Sequence, residues 1–361
     1  MKELLKVYGQ RLSISIFDIK EKKQNADCLI ECSKVYGFSV PFTQAGGFKS
    51  IFSIYKMIGK IEEENDLLIV QLPFIGFPAL LSIRKPTVFH LCANVLTAAK
   101  NPFKYRGIKL LASKAFAGSM HSVFKRLFSR KNSALIVNGK ELHSLYEKYS
   151  PVEVVSSSVR LEEVISVEKV GKRSENDPFK VLFIGRPSKE KGFHTLIKAF
   201  RHLKDGGRHV TLELLGVKAN ELNSILDEPV PSEYLDSITF HGFISWGDSF
   251  TKIVQSSHVL VMCSVSEGTP RVLIEARALG CPVIATEVGG IGSSVKHEHD
   301  GMLIPIGDHL AMAQAIEKLH QEKFRQQLSV NGLETVKNHT LEKFAARFQK
   351  AVDQINHSDA R

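Results

Sequence analysis

The sequence predicts an α/β fold in which two doubly wound, Rossmann-like domains face a central cleft. Three observations predict it. The chain has 361 residues, more than one hydrophobic core usually organises. Its second half repeats short apolar runs: VLFIG (181–185), TLELLG (211–216), SITFHG (237–242), HVLVMCS (258–264), PVIAT (282–286) and GMLIP (301–305). Helical stretches such as FHTLIKAFRHL (193–203) and AMAQAIEKLHQEKF (311–324) separate several of them. Strands that are apolar throughout and alternate with helices imply a parallel sheet covered on both faces.

The first half follows the same pattern with more noise. LSISIFDI (12–19), LLIVQL (67–72), TVFHL (87–91) and ALIVNG (134–139) are its strand candidates. The polar, proline-bearing VEKVGKRSENDPF (167–179) looks like a linker. The expected domains are therefore 1–166 and 180–338. A final helix over 339–361 carries Leu341, Phe344, Phe348 and Val352 on one face.

Composition excludes several classes. With 43% apolar residues the chain is neither a disordered tail nor a fibre. Its five cysteines are odd in number and scattered, which suits a reducing cytoplasm rather than a disulfide framework. The N-terminal MKELLKVYGQR lacks the apolar core of an export signal. Leu67 to Ile83 is uncharged over nearly a membrane-spanning length, but Pro73, Gly76 and Pro78 interrupt it. A buried strand turning into a short helix accounts for it better than a membrane span.

The net charge of +10 is unevenly spread. Through Asp177 the chain has 27 Lys and Arg against 17 Asp and Glu, and beyond it 21 of each. Between Asp66 and Glu141 there are twelve cations and no acid. Within that window Met120, Val123, Phe124, Leu127 and Phe128 recur at helical spacing beside Lys125, Arg126, Arg130 and Lys131. A basic amphipathic helix over 120–131 would suit an anionic membrane surface, and an ordinary domain helix with a solvated basic face is the equal alternative. Nucleic acid fits less well, because no zinc-finger or RRM signature accompanies the charge.

In doubly wound sheets ligands bind beyond the carboxyl ends of the strands, so the loops there carry the chemistry. After VLFIG come Arg186 and Lys191, two cations ahead of a helix, a natural clamp for a diphosphate. A lone Arg/Lys pair is more often solvated charge. After HVLVMCS comes the segment Val265 to Glu275, with Thr269 as expected N-cap and Pro270 as first helical residue. Glu267 then lies in the loop and Glu275 on the helix. Carboxylates accept paired hydrogen bonds from the vicinal hydroxyls of sugars and ribose.

These residues carry a resemblance. GRPSKEKGFHTLIKAF, followed by EGTPRVLIEARALGCPVIATEVGG, resembles the C-terminal domain of the family 4 retaining glycosyltransferases, which have the GT-B fold. The likeness covers roughly residues 180–310, with Glu267 and Glu275 matching the family's E-x7-E signature. It implies a metal-independent hexosyltransferase with no cofactor beyond a UDP- or GDP-linked sugar donor. Arg186 and Lys191 would neutralise the diphosphate leaving group, and Glu275 would hold the ribose. Glu267, with Gly268, Thr269, Pro270, Arg271 and Val272, would hold the donor sugar and phosphate. Gly185 would line the donor site, and Phe243 and Ile244, after His241-Gly242, would border the base. His90, ending VFH, resembles the family's first-domain histidine and would touch sugar or phosphate, although a single histidine after a strand is more often structural.

The resemblance further implies an acceptor-side first domain, a glycan or lipid-linked acceptor, and work in surface polysaccharide or lipopolysaccharide synthesis at the cytoplasmic membrane face. The final helix would return to the first domain. The chain departs from the family at three places. It opens inside a helix that in the family follows a first strand and glycine-rich loop, so the first domain is expected to lack them. Ser156-Ser157-Ser158-Val159 stands where N-G-V is common, and Ile291-Gly292-Ser293 follows Val288-Gly289-Gly290 in place of proline and glutamate. No D-x-D motif occurs, and His297-Glu298-His299-Asp300 reads as a surface turn rather than a metal site. A nucleotide-sugar epimerase and an inactive nucleotide- or glycan-binding relic are the competing readings. A dinucleotide oxidoreductase is disfavoured, since no G-x-G-x-x-G follows a strand.

Overall fold

The computed structural model describes residues 11–12, 15–18, 34–37, 40–41, 47–74, 76–100, 105–170, 178–221, 226 and 229–358. The helix expected at the N-terminus lies outside them. The chain divides into two compact units, Met1–Val154 with Phe344–Arg361, and Val155–Lys343.

In the first unit β1 (Arg11–Leu12) pairs antiparallel with β4 (Val40–Pro41). The main sheet contains β2 (Ser15–Asp18), β3 (Lys34–Gly37), β5 (Leu68–Leu72), β6 (Thr87–Leu91), β7 (Ser133–Asn138) and β8 (Val152–Val154), in the order β3-β2-β5-β6-β7-β8. From β5 to β8 every pairing is parallel, whereas β2 runs antiparallel to both neighbours. Such an antiparallel edge is a common ending for a parallel sheet. Helices α1 (Gly47–Glu64), α2 (Val95–Ala98), α3 (Ile108–Phe128) and α4 (Gly139–Leu145) connect the strands.

The uncharged stretch 67–83 becomes β5 and, after Pro73, a 3-10 turn over Phe77–Ser82. Leu68, Val70, Leu72, Phe77 and Leu80 are buried in the core. No described helix is long and apolar enough to cross a membrane. The basic helix expected over 120–131 ends earlier, and its burial agrees with the reading of an ordinary domain helix. It is the C-terminal part of α3, which stops at Phe128, and Met120, Phe124, Leu127 and Phe128 are buried in the core of this unit. Periodicity shows that a stripe is apolar but not what covers it. Arg130 lies beyond the helix and donates from Nη1 to the Ile83 carbonyl at 2.7 Å and from Nη2 to that of Leu81 at 2.8 Å.

Among the described residues the second unit has six strands: β9 (Phe179–Ile184), β10 (Val210–Leu215), β11 (Ile238–Gly242), β12 (Val259–Met262), β13 (Val283–Thr286) and β14 (Met302–Ile304). Their order is β11-β10-β9-β12-β13-β14, and all neighbours are parallel. Val181 and Phe183 pack into the core on one face, Leu182 into that on the other. Its helices include α5 (Phe193–Asp205), α6 (Ser232–Leu235), α7 (Asp248–Ser256), α8 (Arg271–Ala278), α9 (His309–Lys318), α10 (Glu322–Val336) and α11 (Leu341–Ser358). The strand order reverses between β9 and β12, so the carboxyl ends of those two strands mark the topological switch point where such sheets bind ligands.

Two boundaries differ from expectation. The single helix expected over 311–324 is broken between Lys318 and Glu322, where Arg325 Nη1 donates to the Leu319 carbonyl at 2.7 Å and replaces a helical partner. Residues 155–166 belong to the second unit, not the first. Val155 and Val159 pack with Ile274, Ala278 and Val336, and the Ile165 amide donates to the Ala278 carbonyl. Val167–Lys169 form a 3-10 turn, and 171–177 lie outside the described residues. From Phe344 onward α11 belongs to the first unit, where Phe348, Ala351, Val352 and Ile355 pack with Ile69, Val88, Ile136 and Val154.

Candidate active site

The loops after β9 and β12 meet at the switch point. Gly192 ends the first loop in a left-handed conformation, φ 70°, and a Cβ there would fall 1.9 Å from the Cys263 carbonyl oxygen. Only glycine permits that approach. The Val265 amide donates to the Glu190 carbonyl at 2.9 Å, and the Cys263 thiol to the Lys191 carbonyl at 3.2 Å. Burial pushes that thiol up to about 12, so it stays a protonated donor. Across this junction Lys191 Nζ donates to Glu267 Oε1 at 2.5 Å, with 29% and 13% of the two side chains exposed. Arg186 stands exposed in the same loop, outside that pair. The Lys191 stem lies 4.0 Å from where a Cβ on Gly185 would be.

A third loop, after β13, closes on the second. Gly289, φ 57°, lies against the Glu267 carbonyl, where a Cβ would come within 1.9 Å, and the Gly290 amide donates to the Gly268 carbonyl at 2.8 Å. The paired glycines of VGG thus allow two backbones to cross.

Helix α8 begins at Arg271, one residue later than expected. Pro270 is extended and takes the cap position, with no side-chain cap hydrogen bond. The Thr269 hydroxyl is not the cap: it is buried and accepts from the Ser156 amide at 3.0 Å. Val272 packs against the core and Arg271 is partly exposed. Glu275, just over a turn along α8, accepts a hydrogen bond from the Ser158 hydroxyl. Burial raises its carboxyl above the usual range, against the opposing pull of Ser158 and Arg271.

At the ends of β10 and β11, the Gly216 amide donates to the Gly242 carbonyl at 2.6 Å. Beyond it Phe243 is 87% exposed, while Ile244 packs against the core. His241 Nε2 lies 2.5 Å from Glu213 Oε2. Sequence reasoning marked Ser156 to Val159 only as a departure from N-G-V, without the contacts of Ser156 and Ser158, and missed Glu213. The Ser158 partner is 117 residues away, so the local sequence marks the segment but not what it touches.

His90 belongs to the first unit and is already engaged. Its Nε2 lies 2.9 Å from Asn138 Oδ1 and 3.7 Å from Cys92 Sγ, and the Phe344 and Phe348 rings sit 5.8 and 6.1 Å away. Desolvation would lower its pKa, but the Cys92 thiol and Asn138 outweigh it, leaving the imidazole above its ordinary value.

The expected surface turn is surface only in part. His297 and Glu298 are half exposed, but Asp300 is buried and 3.0 Å from Arg277 Nη1. Among the described residues no group of three His, Cys, Asp or Glu could hold a metal ion.

Residues 165–335 match glycosyl transferases group 1. The second unit belongs to that family. Relatives of this glycosyl transferase group 1 unit include the capsular polysaccharide biosynthesis glycosyltransferase CapM of Staphylococcus aureus, 36% identical over 45% of this chain and 42% of its own. The lipopolysaccharide core biosynthesis glycosyltransferase LpsD of Rhizobium meliloti is 28% identical over 53% of this chain and 54% of its own. An N-acetyl-D-galactosaminyltransferase of Campylobacter jejuni, whose name specifies an undecaprenol-diphosphate-linked glycan, is 27% identical over 49% of each chain. The chain spans about half the length or less of the curated relatives it matches. Among solved structures, sucrose-phosphate synthase of Thermosynechococcus elongatus superposes with a TM-score of 0.68 at 17% identity, over 95% of this chain and 88% of that one. HepE of Anabaena, in complex with UDP-glucose, gives 0.59 at 17% identity over 85% and 82%. These likenesses establish the GT-B fold around the group 1 unit.

Proposed function

We propose that the chain is a retaining glycosyltransferase that moves a hexose from a UDP- or GDP-linked donor to a glycan or lipid-linked acceptor in surface polysaccharide synthesis. The observation that carries this reading is the Lys191–Glu267 pair, at the switch point of a glycosyl transferase group 1 unit. The names of CapM, LpsD and the Campylobacter enzyme support the acceptor class, and HepE's UDP-glucose supports the donor class.

Cleaving a sugar–diphosphate bond places negative charge on the departing phosphate. In this reading Lys191 and Arg186 neutralise it, with the uncapped amides at the start of α8, so that fixed charges and dipoles do the work without a metal. Glu275 accepts from the ribose hydroxyls. Glu267 and the backbone around Gly268 take the sugar hydroxyls, and Phe243 and Ile244 border the base. His90 is left out, because Asn138 and the α11 phenylalanines already occupy its ring.

The acceptor side rests on a peripheral site at the cytoplasmic membrane face. What supports it is the N-terminal half of α3, not the buried stripe that follows. Ile108, Leu111 and Phe116 are 85%, 67% and 47% exposed, with exposed Lys109 and Lys114 on either side. An apolar stripe flanked by cations is what an anionic bilayer binds.

Two experiments test these readings. The protein is incubated with UDP- and GDP-sugars, with and without membrane-extracted lipid-linked glycans, and products are read by mass spectrometry. Acceptor-dependent release of nucleoside diphosphate is expected. Conversion of donor alone to its epimer supports the epimerase, and binding without turnover supports the relic. Vesicle co-sedimentation tests the surface. Binding to anionic but not neutral vesicles, lost when Ile108, Leu111 and Phe116 become Ser, is expected; equal binding to neutral vesicles contradicts it.

A further inference from the structure

The segment Ser156-Ser157-Ser158 is fixed against α8 from both ends. The Ser156 amide donates to the buried Thr269 hydroxyl. Val159 is fully buried and its carbonyl accepts from the Leu341 amide at 2.7 Å. Its own amide donates to the Ser157 hydroxyl at 3.2 Å, which tightens the turn between. Ser158 therefore cannot swing away without breaking that frame, and its hydroxyl donates to Oε1 of Glu275.

The surroundings of Glu275 make that donor consequential. Burial favours the neutral acid, Glu163 in the neighbouring 3-10 turn adds like charge, and only Ser158 and Arg271 favour the carboxylate. An ionised carboxylate accepts at both oxygens, while its protonated form turns one of them into a donor. A ribose diol, which offers two hydroxyl protons, is best met by the ionised form. With Oε1 already oriented by Ser158, Oε2 and the remaining lone pairs stay open to it.

We propose that Ser158 is a positioning residue of the nucleotide site, holding the Glu275 carboxyl in the orientation that receives the ribose hydroxyls of a nucleoside diphosphate. This inference rests on the donor-site reading of Glu275 given under the proposed function. Removing the hydroxyl withdraws a contact made to the charged form, so Glu275 must protonate at a higher pH. Nucleotide affinity, carried by the carboxylate, then fades at a higher pH than in the parent protein.

The test is calorimetric titration of UDP and GDP from pH 5 to 8 into the parent protein, Ser158→Ala and Ser158→Thr, with thermal unfolding as the folding control. Alongside it, 13C NMR of labelled glutamate follows the Glu275 carboxyl in the ligand-free proteins, assigned with Glu275→Gln. Ser158→Ala is expected to weaken nucleotide binding about ten-fold at neutral pH, the scale of one hydrogen bond to a charged group. It is also expected to raise both the binding midpoint and the Glu275 midpoint by about one pH unit. Ser158→Thr, which keeps the hydroxyl, restores both. An unchanged affinity and unchanged midpoints in a folded Ser158→Ala protein overturn the positioning role. If the parent protein binds neither nucleotide while the Glu275 midpoint still rises in Ser158→Ala, the hydrogen bond stands, but the nucleotide reading fails and takes the positioning role with it.

Discussion

Lys191 Nζ and Glu267 Oε1 lie 2.5 Å apart and join the loop after β9 to the loop after β12. The lysine is thereby aimed across the switch point rather than left to wave in solvent. Any anion that enters shares Lys191 with a carboxylate, and Glu267 is in turn held where a sugar hydroxyl could reach it. Lys191→Ala removes the fixed cation and leaves Glu267 uncompensated. Its kcat/KM for the donor is expected to fall several hundred-fold, the scale of losing one preorganised charge contact of about 3–4 kcal/mol. Steady-state kinetics with the active donor checks it, and retention of near-parent turnover would remove Lys191 from the chemistry.

The two carboxylates separate by readout. Glu275→Gln is expected to weaken binding of the free nucleoside diphosphate, because Glu275 faces the ribose in this account. Glu267→Gln is expected to leave that binding nearly intact and slow sugar transfer. Calorimetry with the nucleotide alone, beside turnover with the full donor, distinguishes them; equal losses in both variants would contradict separate roles.

Gly289→Ala tests the crossing of the loops. Its φ of 57° and the 1.9 Å approach to the Glu267 carbonyl leave no room for a methyl group. A loss of at least about 2 kcal/mol in urea unfolding is expected, from a left-handed non-glycine residue together with a backbone clash. An unchanged midpoint would mean that the two loops are not in contact.

The Arg277–Asp300 pair carries stability rather than catalysis. Both side chains are essentially inaccessible to solvent, and Asp300 also accepts from the Lys296 amide at 2.6 Å. Asp300→Ala strands a buried guanidinium and is expected to cost about 3–5 kcal/mol. Equilibrium denaturation reads this directly, and a change below 1 kcal/mol, within the range of an exposed pair, would contradict the burial.

The second unit was largely legible in sequence because its central strands β12 and β13 are buried throughout and β9 nearly so. VLFIG and PVIAT are nearly continuous apolar runs that admit few alternatives, and these and TLELLG each lie within two residues of the observed strand. The first unit was less legible. Val152–Val154 is too short to announce a strand, and the apolar stripe of α3 reads alike against core or lipid. The break between α9 and α10 rests on Arg325, an otherwise acceptable helix residue whose guanidinium takes the Leu319 carbonyl. In the site, the motif residues Lys191 and Glu267 were visible as types and spacing. Ser156 and Ser158 were visible only as a departure from N-G-V, because their contacts with Thr269 and Glu275 span more than a hundred residues of chain.

The most direct measurement is the position of a nucleoside diphosphate in crystals grown with UDP or GDP. The account predicts the β-phosphate within hydrogen-bond reach of Lys191 and the first amides of α8, with the ribose hydroxyls on Glu275. Density for the nucleotide elsewhere, or none at saturating concentration, would contradict it.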